Sequence, residues 1–174
     1  MKSVFIFLVS TYLALASTII LPKSFKSDFA IKITNPKKKI INYSGKVYFS
    51  NTTELKWDYR KPTKKEVCTN GKELIVVDHD LEQVSQYKMN KGLNLSEVLG
   101  HAKKHKEHIY LAEFQGKKYT IQLDAKQRLN SIAFFDELDN KVQIIFKNIN
   151  YSKRARSAKS MQCQYPKNYD MIRG

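Results

Sequence analysis

Short runs of alternating apolar and polar residues dominate the chain between residues 43 and 89. In the clearest run, three large apolar residues, Leu55, Trp57 and Tyr59, alternate with charged residues. Successive side chains of a β-strand point to opposite faces, so this run places the apolar residues on one face and the charges on the other. The pattern predicts one wall of an apolar interior. Such a wall belongs either to a packed core or to a pocket for an apolar ligand.

Further runs of the same kind predict a meander of short antiparallel strands. Asn70-Gly71 is a hairpin signal, and Asn35-Pro36 and Lys61-Pro62 mark other turns. The predicted strands cover residues 28–34, 45–49, 54–60, 65–69, 73–78, 82–89, 108–114, 118–123, 129–135, 141–149 and 160–165. The strands around 74–77 and 144–146 are apolar on both faces, which indicates a cover on their outer side or a protected place in the middle of the sheet.

Helical spacing is convincing only in residues 94–106, where Val98 and Leu99 are apolar and the cations come late, as the helix dipole favours. A second amphipathic piece, residues 17–26, is cut by Pro22 to little more than one turn. A meander of about ten or eleven strands must curl to bury its apolar face. We therefore expect a mainly β (α+β) fold. Its single curved antiparallel sheet forms an incomplete β-barrel, with a short helical lid or plug.

The N-terminus has the features of an export signal. Lys2 supplies a positive charge, residues 3–22 are uncharged and largely apolar, and Ala14-Leu15-Ala16 offers small residues for cleavage. We assign residues 1–16 to a signal peptide cleaved after about Ala16, and residues 17–174 to one domain. The alternative is an uncleaved anchor, since the segment is almost long enough to span a bilayer.

The 174 residues carry a formal net charge of +15, with the lysines spread in small groups. No aromatic stacking platform accompanies them, so the chain does not have the pattern of a nucleic-acid-binding protein. On an exported protein, a basic surface favours acidic lipid surfaces and acidic proteins. The competing interpretation is that the charge serves solubility alone.

The motifs of catalysis are missing from the sequence. Three Gly-Lys pairs lack the upstream glycine and the following Ser/Thr of a nucleotide-binding loop, and there is no nucleophile elbow. His101, His105 and His108 have the spacing of one helix face, but the lysines among them oppose a metal ion. We expect no enzymatic activity, no cofactor and no metal site.

The two cysteines, Cys68 and Cys163, are compatible with a disulfide in an exported protein. Sequence alone cannot place their Cα atoms close together. A disulfide and two buried thiols therefore remain open alternatives.

Several segments carry a family likeness in their order along the chain: residues 24–29, 43–49, 55–62, 70–74, 80–84, 136–146 and 166–172. Together they resemble the periplasmic outer-membrane lipoprotein carrier family, LolA-like. The resemblance implies a half-barrel, lidded by helices, that holds the acyl chains of lipoproteins and carries them between the two membranes. It implies two partners, an inner-membrane lipoprotein-releasing complex and an outer-membrane acceptor, and we expect a periplasmic monomer.

Within this interpretation the inner wall and the lid take named residues. We expect the lipid-binding cavity to be lined by Phe29, Ile31, Phe49, Leu55, Trp57, Val76 and Tyr87. We expect the lid to comprise Ile19, Ile20, Leu21, Val98 and Leu99. The alternative is a non-catalytic envelope lipid-binding, sensing or docking domain of the same fold, with a packed interior.

One departure from the family pattern concerns the lid. Where members of the family commonly carry Arg-Pro after the second strand, with the arginine latching the lid to the barrel, this chain has Asn51-Thr52. The N-terminal lid helix is also truncated by Pro22. We therefore expect the latch to be made differently and the lid to open more readily.

Overall fold

The computed structural model describes residues 19–88 and 95–173. In these residues the chain forms one sheet of twelve strands and two short helices. The strands are β1 Ser24–Thr34, β2 Ile40–Ser50, β3 Glu54–Lys61, β4 Lys65–Thr69, β5 Glu73–Asp78, β6 Gln83–Lys88, β7 Lys103–Lys106, β8 Ile109–Phe114, β9 Lys117–Leu123, β10 Leu129–Phe135, β11 Lys141–Ser152 and β12 Asp170–Arg173. The helices are α1 Leu95–Gly100 and α2 Ala158–Met161. The predicted signal peptide, residues 1–16, lies outside the described residues.

The sheet is open, and its spatial order is β12-β6-β5-β4-β3-β2-β1-β11-β10-β9-β8-β7. Neighbouring strands are antiparallel except β12, which runs parallel to β6. β1 therefore lies in the middle, between β2 and β11. The predicted fold class, a mainly β chain with a single open sheet and few short helices, is confirmed.

One face of the sheet, the inner face, carries the main hydrophobic core. A row of facing apolar residues crosses six neighbouring strands on this face: Tyr43, Ile31, Ile144, Ile132, Ile121 and Tyr110. α1 packs against this face next to β8, and its Leu95, Val98 and Leu99 belong to the same cluster. Among residues 19–88 and 95–173, α1 and the segment before β1 pack against the inner face, and no second sheet lies there.

The opposite face, the outer face, carries a smaller core beneath the C-terminal segment. Val77 and Val84 on neighbouring strands are fully buried and pack with Cys68 and Cys163. The cover predicted from the two-sided apolar character of β5 is this segment. The disulfide that sequence left open is present, with Cys68 and Cys163 bonded.

Three local predictions are wrong. The helix expected over residues 94–106 ends at Gly100, and the lysine-rich half beyond it becomes the edge strand β7. Residues 160–165 are not a strand, because α2 ends at Met161 and the following residues cross the outer face without regular structure. Residues 17–26 do not form a helical turn in their described part, since β1 already begins at Ser24.

The described helices are all short. Among residues 19–88 and 95–173, no helix has the length and apolar character required to cross a membrane.

Candidate functional site

An aromatic cluster on the inner face of β1–β3 forms the centre of the candidate site. The Phe29 ring meets Trp57 and Tyr59 edge-on, with centroid distances of 4.9 and 5.0 Å. The Tyr43 ring packs edge-on against Tyr59, with a centroid distance of 5.8 Å. Edge-to-face arrangements at these distances are favourable for aromatic pairs, so the cluster is a rigid apolar surface.

Gly45 makes this cluster possible. Phe29 lies opposite Gly45 across the β1–β2 pair, so no side chain stands between the phenylalanine and the aromatic residues of β3. The backbone also demands glycine here, because a Cβ on Gly45 would lie only 1.9 Å from the carbonyl oxygen of Asp58. The register shifts at this point, between Ser44 and Gly45, which is the signature of a β-bulge.

The seven residues predicted to line a cavity all lie on the inner face, but in two environments. Five are buried at 1–8% exposure, namely Phe29, Ile31, Phe49, Leu55 and Trp57. Val76 is half-buried, and Tyr87 is 44% exposed near the end of β6. Val67 and Leu74 are half-buried beside them. The inner face is therefore densely packed under β1–β3 and accessible along β4–β6.

The predicted lid residues divide in a similar way. Val98 and Leu99 lie in α1 and are almost fully buried against the inner face. Ile19 and Leu21 lie in the segment before β1 and pack against the same cluster, whereas Ile20 is 84% exposed. Four of the five apolar residues assigned to a lid thus contact the inner-face core.

The turn between β2 and β3 attaches both covering segments to the sheet. The Ser96 hydroxyl, in the first turn of α1, donates a hydrogen bond of 2.6 Å to the carbonyl oxygen of Thr52. The backbone N–H of Asn51 donates to the carbonyl of Lys23, in the segment before β1, at 3.1 Å. Asn51 and Thr52 both have positive φ, 50° and 62°, and this conformation turns the Thr52 carbonyl toward α1.

The inner face is a poor environment for charge. Burial raises the pKa of the Tyr59 hydroxyl to about 12, with a further contribution from Tyr43. Burial also raises the pKa of Tyr119 and of Tyr151 on the other half of the same face. Ionised groups are therefore disfavoured along the inner face, whereas uncharged apolar groups are accepted.

A polar clasp holds the C-terminal segment to the outer face. The Lys56 ammonium donates to the carbonyl of Gln162 at 2.9 Å and pairs with Glu66 at 2.9 Å. Glu66 in turn accepts a bond from the backbone N–H of Gln164. Together with the Cys68–Cys163 disulfide, these bonds fix the segment across β3 and β4. None of these clasp contacts involves a residue of the inner face.

The three histidines considered as metal ligands are separated by the fold. His101 follows α1, His105 lies in the edge strand β7, and His108 sits in the turn before β8 with φ of 58°. The described residues bring together one set of potential ligands, Glu66, Cys68 and Cys163, and its two sulfurs are bonded to each other. Neither set has the chemistry of a metal site.

Sequence reasoning missed half of the inner face. The strands β8–β11 also contribute buried apolar residues to the main core, including Tyr110, Tyr119, Ile121, Ile132 and Phe146. The signal was present in β9, where Tyr119 and Ile121 alternate with polar residues, but Tyr110 lies between the apolar residues Ile109 and Leu111. The contact of Ser96 with the β2–β3 turn has no signature in the sequence.

Comparison with known proteins places this site in a family. The sequence model described as outer membrane lipoprotein carrier protein LolA matches residues 22–115. A protein of Wolinella succinogenes named outer-membrane lipoprotein carrier protein is 35% identical over 125 residues, 72% of this chain and 73% of the relative. A protein of the same name from Campylobacter jejuni is 31% identical over 150 residues, 86% of each chain.

The fold also occurs among solved structures. An uncharacterized conserved protein from Thermus thermophilus superimposes with a TM-score of 0.57 over 88% of this chain and 92% of that chain, at 13% sequence identity. At this identity the likeness concerns the fold alone.

Proposed function

Because the chain belongs to the LolA family of outer-membrane lipoprotein carrier proteins, we propose that it is a periplasmic carrier for lipoproteins. In this proposal the inner face holds the acyl chains of a lipoprotein while the protein crosses from the inner to the outer membrane. An inner-membrane releasing complex loads it, and an outer-membrane acceptor unloads it. The carrier itself catalyses no reaction.

The observation that carries this proposal is the way α1 covers the inner face. The helix has six residues, buries Leu95, Val98 and Leu99, and is attached to the β2–β3 turn by the Ser96 hydroxyl. An isolated helix of this length has little stability of its own. α1 is therefore suited to leave the inner face and to be replaced there by hydrocarbon.

The free energy needed to hold an acyl chain away from water is consistent with an apolar inner face. An acyl chain of about sixteen methylenes gains roughly 12 kcal/mol on leaving water, at ~0.8 kcal/mol per methylene. A carrier must supply comparable apolar surface. The buried residues of β1–β3 and β8–β11, with the half-buried Val67, Leu74 and Val76 at their side, provide such a surface once α1 moves.

A second candidate function is an envelope lipid-binding, sensing or docking domain with a permanently packed interior. The observation in its favour is the dense packing of Phe29 and Phe49, which are 2% and 1% exposed. The two candidates differ in whether hydrocarbon enters the inner face and whether lipoproteins leave a membrane.

A direct test uses Trp57, the single tryptophan of the sequence, which lies on the inner face. A brominated fatty acid quenches tryptophan emission only at short range, so a chain held under α1 should quench Trp57 in a saturable manner. The non-brominated fatty acid should compete and restore the emission. Absence of quenching at saturating fatty acid would contradict the proposal.

Transfer is tested separately with the processed protein. Newly made lipoproteins in inner-membrane vesicles should appear in solution when this protein and the releasing complex are present. Absence of both quenching and release would favour the domain with a packed interior, whereas quenching without release would support lipid binding and contradict the carrier function.

A further inference from the structure

One end of the sheet carries exposed apolar side chains close together. The β1–β2 turn, residues 35–39, and the β10–β11 turn, residues 136–140, lie side by side because β2, β1, β11 and β10 are neighbours in that order. Four large apolar residues lie at or beside these turns and are at least half exposed: Ile40 at 50%, Ile41 at 50%, Phe135 at 60% and Leu138 at 76%. We call these four residues the tip patch.

The strand register places Ile40 and Phe135 in one row, whereas Ile41 lies opposite Ile33 and faces the other side of the sheet. Ile40 lies opposite Thr34, Thr34 lies opposite Lys141, and Lys141 lies opposite Phe135. Strands in a sheet are about 4.8 Å apart, so this row spans roughly 15 Å. Leu138 stands at the end of the hairpin beyond Phe135. Apolar residues gathered on adjacent strand ends mark an interaction site more often than singly scattered ones do.

Cations flank the tip patch. Lys37, Lys38 and Lys39 form the β1–β2 turn, and none of them has an ion-pair partner among residues 19–88 and 95–173. The β10–β11 turn carries three carboxylates, Asp136, Glu137 and Asp139, and Glu137 pairs with Lys117 at 3.2 Å. Asp136 accepts bonds from Asn140 and from the backbone N–H of Leu138, within its own turn.

The basic surface continues along the same end of the sheet. A cleft of about 720 Å³ opens beside the β8–β9 turn, lined by His101, Lys103, Lys104, His105 and Lys118 among others. Glu113 lines the same cleft and lies opposite Lys118 across β8 and β9. Positive charge therefore extends from the tip patch toward the β7 edge.

We propose that the tip patch docks the protein on the surface of an anionic phospholipid bilayer. Exposed apolar tips beside unpaired lysines match a surface that offers an apolar boundary beneath negative headgroups. In this arrangement Lys37–Lys39 contact headgroup phosphates, while Phe135 and Leu138 enter the interface. The biological meaning of the contact rests on the proposed carrier function, but the contact itself does not involve the inner face.

The tip patch and the α1 attachment lie at opposite ends of β2. Ile40 begins the strand, and the turn that receives Ser96 follows its last residue, Ser50. Substitutions in the tip patch should therefore leave α1 and the inner face intact. This separation allows the two proposals to fail independently.

The test is sedimentation with vesicles of phosphatidylcholine alone or with about one third phosphatidylglycerol. Wild-type processed protein should bind the anionic vesicles and not the neutral ones, and binding should weaken as salt is raised. K37Q/K39Q should lower the partition coefficient on the order of 10- to 30-fold, the factor that two lysines contribute at such a surface. F135S/L138S, which leaves the net charge unchanged, should also lower the partition coefficient relative to the wild type.

Matched controls come from the C-terminal segment. K159Q/K167Q removes the same charge from exposed positions, and Ile172→Ser removes a 46% exposed apolar residue far along the sheet from the tip patch. Both should bind anionic vesicles as the wild type does. Equal losses in control and tip-patch variants would overturn the proposal, as would a wild-type protein that ignores anionic vesicles.

Quenching of Trp57, which reports on the inner face, distinguishes failure of the docking proposal from failure of the carrier function. If Trp57 is quenched by brominated fatty acid while vesicle binding is absent, only the docking proposal fails. If vesicle binding follows the tip patch but Trp57 is never quenched, the docking proposal stands and the carrier function fails. Tip-patch variants that lose a protein partner but keep vesicle binding would also overturn it.

Discussion

The Ser96 hydroxyl donates a 2.6 Å hydrogen bond to the carbonyl oxygen of Thr52, and so joins α1 to the turn between β2 and β3. The family resemblance places an arginine latch near this turn, and this chain has Asn51 and Thr52 there instead. The contact seen here uses the side chain of the helix and the backbone of the turn. The attachment of α1 to this turn therefore involves no charged group.

Removing this bond should make α1 easier to displace. A neutral hydrogen bond contributes about 0.5–1.5 kcal/mol, so Ser96→Ala should raise the population with α1 displaced by about two- to tenfold. The affinity for a fluorescent fatty-acid probe should rise by the same factor. Ser160→Ala is the control, because Ser160 donates a bond of similar length, 2.7 Å, to Ser157 at the outer-face helix α2. Unchanged or weaker probe binding by Ser96→Ala would contradict the role of the bond.

Two neighbouring valines on β5 should separate binding from stability. Val76 is half-buried on the inner face, and Val77 is fully buried on the outer face. Val77→Thr should cost about 1–3 kcal/mol of unfolding free energy, because the hydroxyl is buried under the C-terminal segment. Val76→Thr should cost less but weaken probe binding. The measurements are urea unfolding and probe titration, and a Val77→Thr protein that loses as much probe affinity would refute the assignment.

The disulfide should dominate the stability of the outer face. Cys68 and Cys163 close a loop of 95 positions, for which the chain-entropy model gives about 4 to 5 kcal/mol. C68A/C163A should lose on the order of this amount in urea unfolding, and reductant should destabilise the wild type but not the variant. Probe binding by the folded variant should persist, since the clasp lies on the other face. A loss below about 1 kcal/mol would show that Lys56 and Glu66 hold the segment without help.

The carboxylate of Asp28 should contribute to acid sensitivity. Hydrogen bonds from Lys46, at 2.6 Å, and from Asn148 hold the pKa of Asp28 below its ordinary value of 3.8. A carboxyl group with a lowered pKa in the folded state stabilises the fold above its ordinary pKa, and this contribution is lost as the pH falls through the lowered value. The melting temperature of Asp28→Asn should therefore lie below that of the wild type at pH 7. The gap should narrow as the pH falls from about 4 through the lowered pKa, and a gap that does not narrow between pH 4 and pH 2 would contradict this assignment.

The alternation of Leu55, Trp57 and Tyr59 was sufficient to predict the inner wall, because burial of one strand face is a local property of sequence. The two-sided apolar character of β5 predicted either a cover on its outer side or a protected place in the middle of the sheet, and Val77 is covered. What covers it depends on Cys163, far along the chain, and no local pattern contains that information. The same holds for β12, whose four residues are exposed and find their place through the segment that the disulfide anchors.

The end of α1 shows where periodicity misleads. Residues 94–106 keep an acceptable helical spacing, but Gly100 is a weak helix former, and the lysines and histidines after it pair with β8 as an edge strand. A short, cationic edge strand is a common protection against edge-to-edge association. The inner-face positions of the residues on β1–β3 were predictable for the same reason as the strands. Ser96 was not, because its partner is a backbone carbonyl 44 positions away.

The central position of β1 has a consequence for biosynthesis. One edge of β1 pairs with β2 immediately, but the other waits for β11, and Ser27 meets its partner Lys147 only after 120 further residues have been made. During that interval a long strand with an apolar face lies at an unfinished border, where another chain could join it. A factor that shields nascent chains should therefore raise the yield of the folded protein.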